Sequence, residues 1–347
     1  MPESVTAKEN PIMTMIYRRL GASNLRVSRL CLGTMMFGDQ TEAPEAASIM
    51  AAAREQGVNF VDTADVYTRG ASERMLAPLI KAGRDWWVVA TKLANRMSDS
   101  PNDIGYSRRW MIRAVENSLQ RLETDYLDIL YLHRDHEHDS LEEAVRTMGD
   151  LIRDGKIRYW GLSNFRGWRV AEAARLADNL GVPRPTVCQP YYNLLNRMPE
   201  VEILPACRHY GLGVVPYSPI ARGVLTGKYR AGQAPEAGTR AARKDARMMQ
   251  TEWREESLLI AERLAEHAEA RGVSLLEFSV AWVLANPIVS AVIAGPRTLA
   301  QWQSYAGALT LEWGPADEAA VDRQVVPGHA STPGYHDPQY PFFGRPL

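Results

Sequence analysis

The 347-residue sequence is poor in cysteine and has no long apolar run. Its three cysteines, Cys31, Cys188 and Cys207, lie far apart and lack the C-x-x-C spacing of zinc and redox sites. We therefore expect reduced, buried thiols. No stretch approaches the roughly 18 uninterrupted apolar residues of a membrane span, and residues 1–15 lack the basic and apolar regions of a secretory signal. These absences predict a cytoplasmic protein that does not associate with membranes.

Excess charge of one sign is also missing, because 40 basic residues oppose 41 acidic ones and leave a net charge of -1. Nucleic-acid binding normally needs a strongly basic surface, so we expect a small-molecule partner and no nucleic acid. No G-x-G-x-x-G motif follows an apolar segment, which excludes the usual Rossmann cofactor site. The fragment "GVLTGKY" at 223–229 lacks the glycine spacing and the final Ser or Thr of a phosphate loop.

Short apolar segments alternate with segments of helical periodicity along most of the chain. Leu141, Val145, Met148 and Ile152, for example, recur at intervals of three and four residues, as on one face of a helix. Such alternation is typical of an α/β fold with a parallel sheet, and eight units predict a (β/α)8 TIM barrel. The eight predicted strands are 29–33, 58–62, 87–92, 127–133, 158–163, 186–189, 213–218 and 290–295.

The ends of the fourth predicted helix carry recognisable signals. Asp139, with Glu142 three residues later, resembles a capping pair, and Gly155 is a good residue for the end of the helix. We therefore expect this helix to begin after Asp139 and to end at Gly155.

Composition divides the chain into three parts. Residues 1–16 are predicted to form a flexible N-terminal tail, 17–315 the barrel with an N-terminal hairpin, and 316–347 an extended C-terminal tail rich in Pro and Gly. The tail should either wrap around the barrel or fray. Residues 230–256 form a long loop after strand seven, and a loop of that length is usually a functional lid or disordered.

Polar residues stand at the ends of three successive predicted strands. Asp62, Lys92 and His133 end strands two, three and four, and Tyr67 follows Asp62 by five residues. Each has a simpler interpretation: Asp62 as a helix cap, Tyr67 as a loop tyrosine, Lys92 as a solvated lysine and His133 as a core histidine. Their coincidence at the carboxyl ends of barrel strands, where catalytic residues of this fold lie, favours a single site.

These four side chains together suit proton donation to a carbonyl oxygen. A buried Lys92 beside Tyr67 is expected to lower the pKa of the phenol, and Asp62 would balance the charge of Lys92. A neutral His133 could donate a hydrogen bond to the same oxygen. Asp65 is interpreted only as a turn carboxylate.

His133, His136 and His138, together with Asp135, also suggest a metal site, because imidazole is a common zinc ligand. The additional histidines lie in one loop, however, and no residues that would orient their imidazoles as metal ligands are evident. We therefore predict no metal.

Several segments resemble, in the same order, the aldo-keto reductases, in particular the long bacterial members related to the β-subunit of voltage-gated potassium channels. The resemblance covers residues 17–311. The segments are "LGTMMFG" at 32–38, "GVNFVDTADVY" at 57–67, "VVATK" at 88–92, "RLETDYLDILYLH" at 121–133, "GKIRYWGLSNF" at 155–165, "QPYYN" at 189–193, "VVPYSPIARGVLTGKY" at 214–229 and "IAGPRTLAQ" at 293–301.

The resemblance implies NADPH-dependent reduction of an aldehyde or ketone. Tyr67 would be the general acid, Lys92 would tune it, Asp62 would pair with Lys92, and His133 would orient the carbonyl. Because of the channel relatives, an alternative is an NADP-binding redox-sensing or interaction protein. The resemblance is also compatible with a homo-oligomer.

The resemblance further implies NADPH or NADP+ as the cofactor, in preference to NADH. Ser163, Asn164 and Gln189 would bind the carboxamide, Tyr217 would stack on the nicotinamide, and Arg297, Gln301 and Arg240 would meet the adenosine end. Ser304 and Tyr305 replace a Glu and an Asn that commonly contact adenine in the family. The remaining expected cofactor residues are Thr34, Met35, Asp62, Ser218, Pro219, Ile220, Ala221, Arg222, Gly223, Lys228 and Gly295.

Overall fold

The fold is built around one parallel sheet, seen in a computed structural model that describes residues 15–341. A short antiparallel hairpin of β1 (Tyr17–Arg19) and β2 (Arg26–Ser28) precedes it. The eight parallel strands follow in the spatial order β10-β3-β4-β5-β6-β7-β8-β9. They are β3 (Leu30–Gly33), β4 (Phe60–Asp62), β5 (Val88–Leu93), β6 (Leu127–Leu132), β7 (Ile157–Ser163), β8 (Val187–Gln189), β9 (Gly213–Val214) and β10 (Val292–Ala294).

Helices connect the strands and cover the outside of the sheet. Over residues 15–341 no helix is long and apolar enough to cross a membrane. The helices are α1 (Ala43–Glu55), α2 (Ala71–Lys81), α3 (Arg108–Leu122), α4 (Leu141–Arg153), α5 (Gly167–Leu180), α6 (Ile203–Tyr210), α7 (Ala246–Thr251), α8 (Glu255–Ala270), α9 (Leu275–Ala285), α10 (Leu299–Gln303) and α11 (Pro315–Asp322).

The sheet closes on itself between β9 and the segment leading into β10. Ser290 N donates to Val214 O at 2.9 Å, and Ile293 N donates to Pro216 O at 3.0 Å. β9 is shorter than the predicted strand 213–218, and one reason is that Pro216 has no N–H to donate to a neighbouring strand. The closed sheet confirms the predicted (β/α)8 barrel, and the N-terminal hairpin is also confirmed.

Side chains fill the barrel interior and leave its carboxyl end for the loops. Cys31, Phe60, Ile129 and Tyr131 point inward and are fully buried. At the amino end, Leu20 and Val27 of the hairpin belong to the same buried cluster. The three cysteines are free and buried, as expected.

One predicted helix cap is wrong by one residue. The side chain of Ser140, not Asp139, caps α4 by accepting a hydrogen bond from Glu143 N at 3.2 Å. Asp139, in the loop before α4, instead accepts a hydrogen bond from Tyr106 N at 3.1 Å. The predicted end is correct: Gly155 has a φ of 71°, and Lys156 N donates to Leu151 O at 3.0 Å, which closes a Schellman motif.

The long segment 230–256 is ordered and contains helix α7, whose Met248 is fully buried. Helix α11, Pro315–Asp322, extends into the segment 316–347 that was predicted to be a tail, so that segment begins with regular structure. After α11 the chain wraps around the barrel, as Ser331 N donates to Leu195 O at 2.9 Å and Arg197 N donates to His329 O at 2.9 Å. The predicted N-terminal tail, 1–16, lies almost entirely outside the described residues.

Gly161 of β7 gives a test of the packing inside the barrel. A Cβ at this position would lie 2.6 Å from Val187 Cγ1 and 2.8 Å from Tyr131 Cε1. We expect Gly161→Ala to lower the free energy of unfolding by about 2 kcal/mol or more, because neither neighbouring strand can move away freely. Urea unfolding measures this, with Gly314→Ala as the control, since the nearest atom there is 3.8 Å away. Equal stability of the two variants would contradict the packing described for β7.

Candidate active site

Asp62, Lys92 and His133 lie at the carboxyl ends of three neighbouring strands. Asp62 is the last residue of β4, Lys92 lies near the end of β5, and His133 directly follows β6. Tyr67 begins a short 3-10 turn, Tyr67–Gly70, in the loop after β4. The structure therefore brings all four predicted catalytic residues to one end of the barrel.

The fully buried ammonium group of Lys92 connects the side chains of Asp62 and Tyr67. Its Nζ forms an ion pair with Asp62 Oδ1, donates to Thr63 O at 2.8 Å, and lies 3.0 Å from the hydroxyl of Tyr67. The other carboxylate oxygen of Asp62 accepts from Gln189 Nε2 at 2.9 Å. An ammonium group has three protons, so these three contacts use its whole donor capacity.

The charge state of Lys92 follows from these contacts. Burial alone would lower the pKa of Lys92, but Asp62 and Tyr67 raise it above its ordinary value. Burial raises the pKa of Asp62, although Lys92 and Gln189 oppose that effect. Lys92 is therefore a cation at neutral pH, and its charge is balanced by Asp62.

The pKa of Tyr67 moves in the direction opposite to the prediction. Burial raises it above its usual value, and the attraction of Lys92 for the phenolate only reduces this rise. The predicted effect of Lys92 is present, but desolvation of the phenolate is larger. Tyr67 therefore holds its proton at neutral pH, as a proton donor must.

His133 presents a neutral imidazole to the same space. Its side chain is 9% exposed, and its Nδ1 is buried without a hydrogen-bond partner. Burial lowers its pKa well below the usual range, and the nearby charges of Lys92 and Arg134 lower it further. The ring stands edge-on to Tyr67, with ring centroids 5.9 Å apart. A neutral imidazole here can bind a polar oxygen without adding charge.

A connected row of polar side chains leads away from Asp62 along β7, β8 and the segment after β9. Ser163 Oγ donates to Gln189 O at 3.1 Å, and Asn164 Nδ2 donates to His133 O at 2.8 Å. The hydroxyl of Tyr217 donates to Asn164 Oδ1 at 2.8 Å, and its ring stacks on Tyr191. The residues predicted for the nicotinamide end thus form one wall beside the Asp62 group.

The segment Ser218–Gly223 continues this wall with an unusual backbone. Ser218, Ala221 and Arg222 have φ values of 55°, 48° and 51°, and Gly223 has 103°. A run of left-handed residues can turn successive N–H groups toward one side, which makes a concavity suited to anions. Pro219 and Ile220 lie within this segment, and Lys228 follows it, exposed at the surface.

Arginines gather beyond this segment. Burial lowers the pKa of Arg240, and the charges of Arg222, Arg297 and Arg243 lower it further, whereas Asp245 opposes them. Arg240 Nε lies 3.5 Å from Asp245 Oδ2, and Arg297 Nη1 contacts the amide oxygen of Gln40 at 3.3 Å. Four guanidinium groups within electrostatic reach of one another favour binding of an anion.

The remaining predicted cofactor residues lie partly in the protein interior and partly at its surface. The hydroxyl of Thr34 is buried and bonded to Asp62 O and Ser72 Oγ, and the side-chain oxygen of Gln301 accepts from Arg297 N at 2.8 Å. Tyr305 packs in the core, whereas Ser304 and Gly295 are exposed. Met35, 38% exposed, lies at the surface.

The histidine loop does not form a metal site. His136 Nε2 lies 2.9 Å from Ala94 O, His138 is exposed, and Asp135 forms ion pairs with Arg166 and Arg169. Within residues 15–341 no three His, Cys, Asp or Glu side chains are placed to hold a metal ion.

Two further features of this end of the barrel concern Asp65 and the C-terminal tail. Asp65 lies in a turn, as interpreted, but it is 1% exposed, and this burial was not anticipated. The C-terminal tail reaches the site: Arg247 binds Asp337 at 2.6 Å, and the ring of Tyr340 lies 5.3 Å from the guanidinium of Arg134. The sequence gives no periodic signal for these contacts, because residues far apart in the chain form them.

The Asp62–Lys92 pair gives a prediction about stability. Asp62→Asn leaves a buried ammonium group without its counterion, so we expect it to lower the free energy of unfolding by about 3 kcal/mol. The double variant Asp62→Asn, Lys92→Met removes both charges and should recover most of the loss. Urea unfolding is the measurement, with Asp125→Asn at an exposed position as the control. If the double variant were no more stable than the single one, the loss would not come from the unpaired charge.

Comparisons with known proteins identify the family of this chain. The sequence model of the aldo/keto reductase family matches residues 29–324. A probable voltage-gated potassium channel subunit beta of Oryza sativa subsp. japonica is 38% identical over 286 residues, which cover 81% of this chain and 87% of that protein. A protein of the same description from Arabidopsis thaliana is 37% identical over 294 residues, 83% of this chain and 89% of its own.

A third relative is described as an oxidoreductase. The uncharacterized oxidoreductase YrpG of Bacillus subtilis (strain 168) is 37% identical over 323 residues, which cover 90% of this chain and 94% of that protein. The matches extend over nearly all of the barrel, and the strand-end residues occupy the end where barrel enzymes carry out their chemistry. The chain therefore belongs to the aldo/keto reductase family of oxidoreductases.

Proposed function

We propose that this protein reduces an aldehyde or ketone to an alcohol with NADPH as the hydride donor. The observation that carries the proposal is the contact of 3.0 Å between the Lys92 ammonium and the hydroxyl of Tyr67, with Asp62 on the other side of the lysine. A phenol that holds its proton and lies against a fixed cation is equipped to release that proton when a neighbouring oxygen becomes negative.

The residues present suit a nicotinamide dinucleotide phosphate. Asn164, Ser163 and Gln189 offer amide and hydroxyl groups to a carboxamide, and Tyr217 offers a ring face. The segment Ser218–Gly223, in which Ser218, Ala221, Arg222 and Gly223 are left-handed, suits a pyrophosphate. The arginines around Arg240 suit a further phosphate, because four guanidinium groups lie near only two carboxylates, Asp245 and Glu252. When bound, this cofactor would supply a hydride to the carbonyl carbon.

The protein's own residues handle the proton and the developing charge. Tyr67 donates its hydroxyl proton to the carbonyl oxygen, and Lys92 stabilises the phenolate that remains. Asp62, held by Gln189, keeps the ammonium of Lys92 in place and balances its charge. The neutral imidazole of His133 holds the carbonyl oxygen near Tyr67, which aligns the substrate before the reaction.

The C-terminal tail forms part of the substrate pocket in this proposal. Arg134 Nη2 donates to Gln339 O at 3.0 Å, and Tyr340 lies between Arg134 and Arg247. The ring of Tyr340 is therefore placed above the mouth that contains Tyr67. An aromatic ring there favours substrates with an apolar group next to the carbonyl.

A second candidate function uses the same site for sensing. Two relatives are described as potassium channel subunits, so this chain is also a candidate NADP-binding protein that reports redox state to a partner. The two functions differ in turnover. A sensor would bind NADPH tightly and oxidise it very slowly with any carbonyl compound.

Tyr67→Phe tests the proposed reaction. We expect kcat with NADPH and 4-nitrobenzaldehyde to fall by about a hundredfold or more, because the proton donor is removed. NADPH affinity, measured by fluorescence quenching, should change little, since the phenol is not part of the proposed phosphate sites. Tyr210→Phe, on helix α6, is the matched control and should retain full activity.

Two results would contradict the proposal. One is a wild-type protein that binds NADPH but oxidises none of it with 4-nitrobenzaldehyde, phenylglyoxal or methylglyoxal, which would favour the sensor. The other is a Tyr67→Phe variant with undiminished kcat, which would assign the proton to a different group.

Arg297→Met and Arg240→Met test the choice of cofactor. Hydrogen bonds from a guanidinium to a phosphate contribute about 1.5 to 3 kcal/mol, so each change should raise the Kd for NADPH about tenfold or more. The Kd for NADH, which lacks the 2′-phosphate, should change little. Isothermal titration with both cofactors is the measurement, with Arg175→Met on the exposed surface of α5 as the control. Equal losses for NADPH and NADH would show that these arginines do not distinguish the two.

A further inference from the structure

Asp65 is a buried carboxyl group next to the active site with no function assigned so far. It lies three residues after Asp62 and two before Tyr67, and its backbone N donates to Lys92 O at 3.1 Å. Its side chain is 1% exposed, and neither oxygen has a hydrogen-bond partner of ordinary geometry. A buried ionised carboxylate normally has a cation or several donors, so the absence of both is informative.

The charged groups around Asp65 are already paired with one another. Glu73 of α2, also buried, accepts from Thr91 Oγ1 at 2.6 Å and from Arg121 Nε of α3 at 2.6 Å. Lys92 of β5 is paired with Asp62. Two cations thus face three carboxyl groups, and the pairs Lys92–Asp62 and Arg121–Glu73 leave Asp65 without a cation. Electroneutrality in a buried region therefore favours the protonated form of Asp65.

The backbone that follows Asp65 forms the turn that carries Tyr67. Thr68 and Arg69 have φ values of 46° and 51°, and Gly70 follows with 86°. Non-glycine residues rarely adopt this conformation, so surrounding contacts must hold it. Arg121 supplies one such contact: a Cβ on Gly70 would lie 2.7 Å from Arg121 Cδ, which shows how closely the arginine packs against the turn.

We propose that Asp65, in its neutral form, is a positioning residue that acts with Glu73 and Arg121 to hold the turn bearing Tyr67 in place. A neutral Asp65 leaves Arg121 bound to Glu73 and packed on Gly70. An ionised Asp65 would repel Glu73 and compete for Arg121, which would loosen the turn. The effect on turnover rests on the function proposed above, whereas the charge state of Asp65 does not.

The expected pH dependence has a definite sign. Burial raises the pKa of Asp65 well above its usual range, and the charge of Glu73 raises it further, against the opposing effects of Arg121, Lys92 and the Val66 amide. A carboxyl group with a raised pKa in the folded state contributes stability below its unfolded pKa. That contribution is lost as the pH rises toward its folded pKa. Asp65→Asn keeps the shape of the neutral acid and removes this loss.

The first measurement is the free energy of unfolding from about pH 5 to about pH 9 for the wild type and Asp65→Asn. We expect the stability of Asp65→Asn relative to the wild type to increase as the pH rises. Asp99→Asn, at an exposed position, is the control and should show no such trend. If Asp65 were ionised in the folded protein throughout this range, both the folded and the unfolded state would carry its charge, and the stability of Asp65→Asn relative to the wild type would not change with pH. Such a flat profile would overturn the proposal.

The second measurement compares Asp65→Asn with Asp65→Ala, with kcat and the Kd for NADPH determined for each. We expect Asp65→Asn to retain most of kcat, because the amide mimics the neutral acid. Asp65→Ala should lose about tenfold in kcat with an unchanged Kd, since misplacing a reacting group by a fraction of an ångström affects the chemical step more than binding.

The outcomes separate this inference from the proposed function. A folded Asp65→Ala variant with the kcat of the wild type would overturn the positioning role, and so would an Asp65→Asn variant as impaired as Asp65→Ala. A wild-type protein without turnover would instead contradict the proposed function. The unfolding measurements would still report whether Asp65 is neutral.

Discussion

The buried ammonium of Lys92 is the constraint on which the rest of the site depends. A lysine can remain charged in the interior only if its protons are satisfied and its charge is balanced, and Asp62, Thr63 and Tyr67 provide this at three positions. Each of these partners comes from β4 or the loop after it. The short distance between adjacent parallel strands is what allows one side chain of β5 to reach all three. The chemistry of the site is therefore a product of strand register.

The second level of support lies farther from the mouth. Gln189 of β8 crosses the barrel to bind Asp62, and Arg121 of α3 packs against the turn that follows Tyr67. Elements distant in sequence thus fix the orientation of Asp62 and Tyr67 at the carboxyl end of the barrel. Burial also explains why Tyr67 keeps its proton, since Lys92 attracts the phenolate but does not fully compensate for its desolvation.

Sequence reasoning succeeded where the signal was local. The eight strands and the positions of Asp62, Lys92 and His133 at their ends follow from short apolar segments that stop at a polar residue. It failed where the answer depends on packing between distant segments. The burial of Asp65 depends on α2 and α3, and the contact of Arg247 with Asp337 joins residues 90 positions apart. The cap of α4 at Ser140 was missed because Asp139 is an equally good cap residue, and only the fold shows that Asp139 is engaged by Tyr106.

The two ends of the barrel differ in how tightly they are packed, because the N-terminal hairpin closes only the amino end. Leu20 and Val27 fill the amino end of the barrel, and the backbone of Gly21 lies so close to Gly213 that a Cβ on Gly213 would be 2.6 Å from it. Substitutions at that end would disturb its close packing. Its residues do not line the opposite end, where the loops meet. Loops at the opposite end can therefore be lengthened or exchanged during evolution without disturbing the packing that keeps the barrel folded. A chain of this design can acquire new substrates while its stability stays nearly constant.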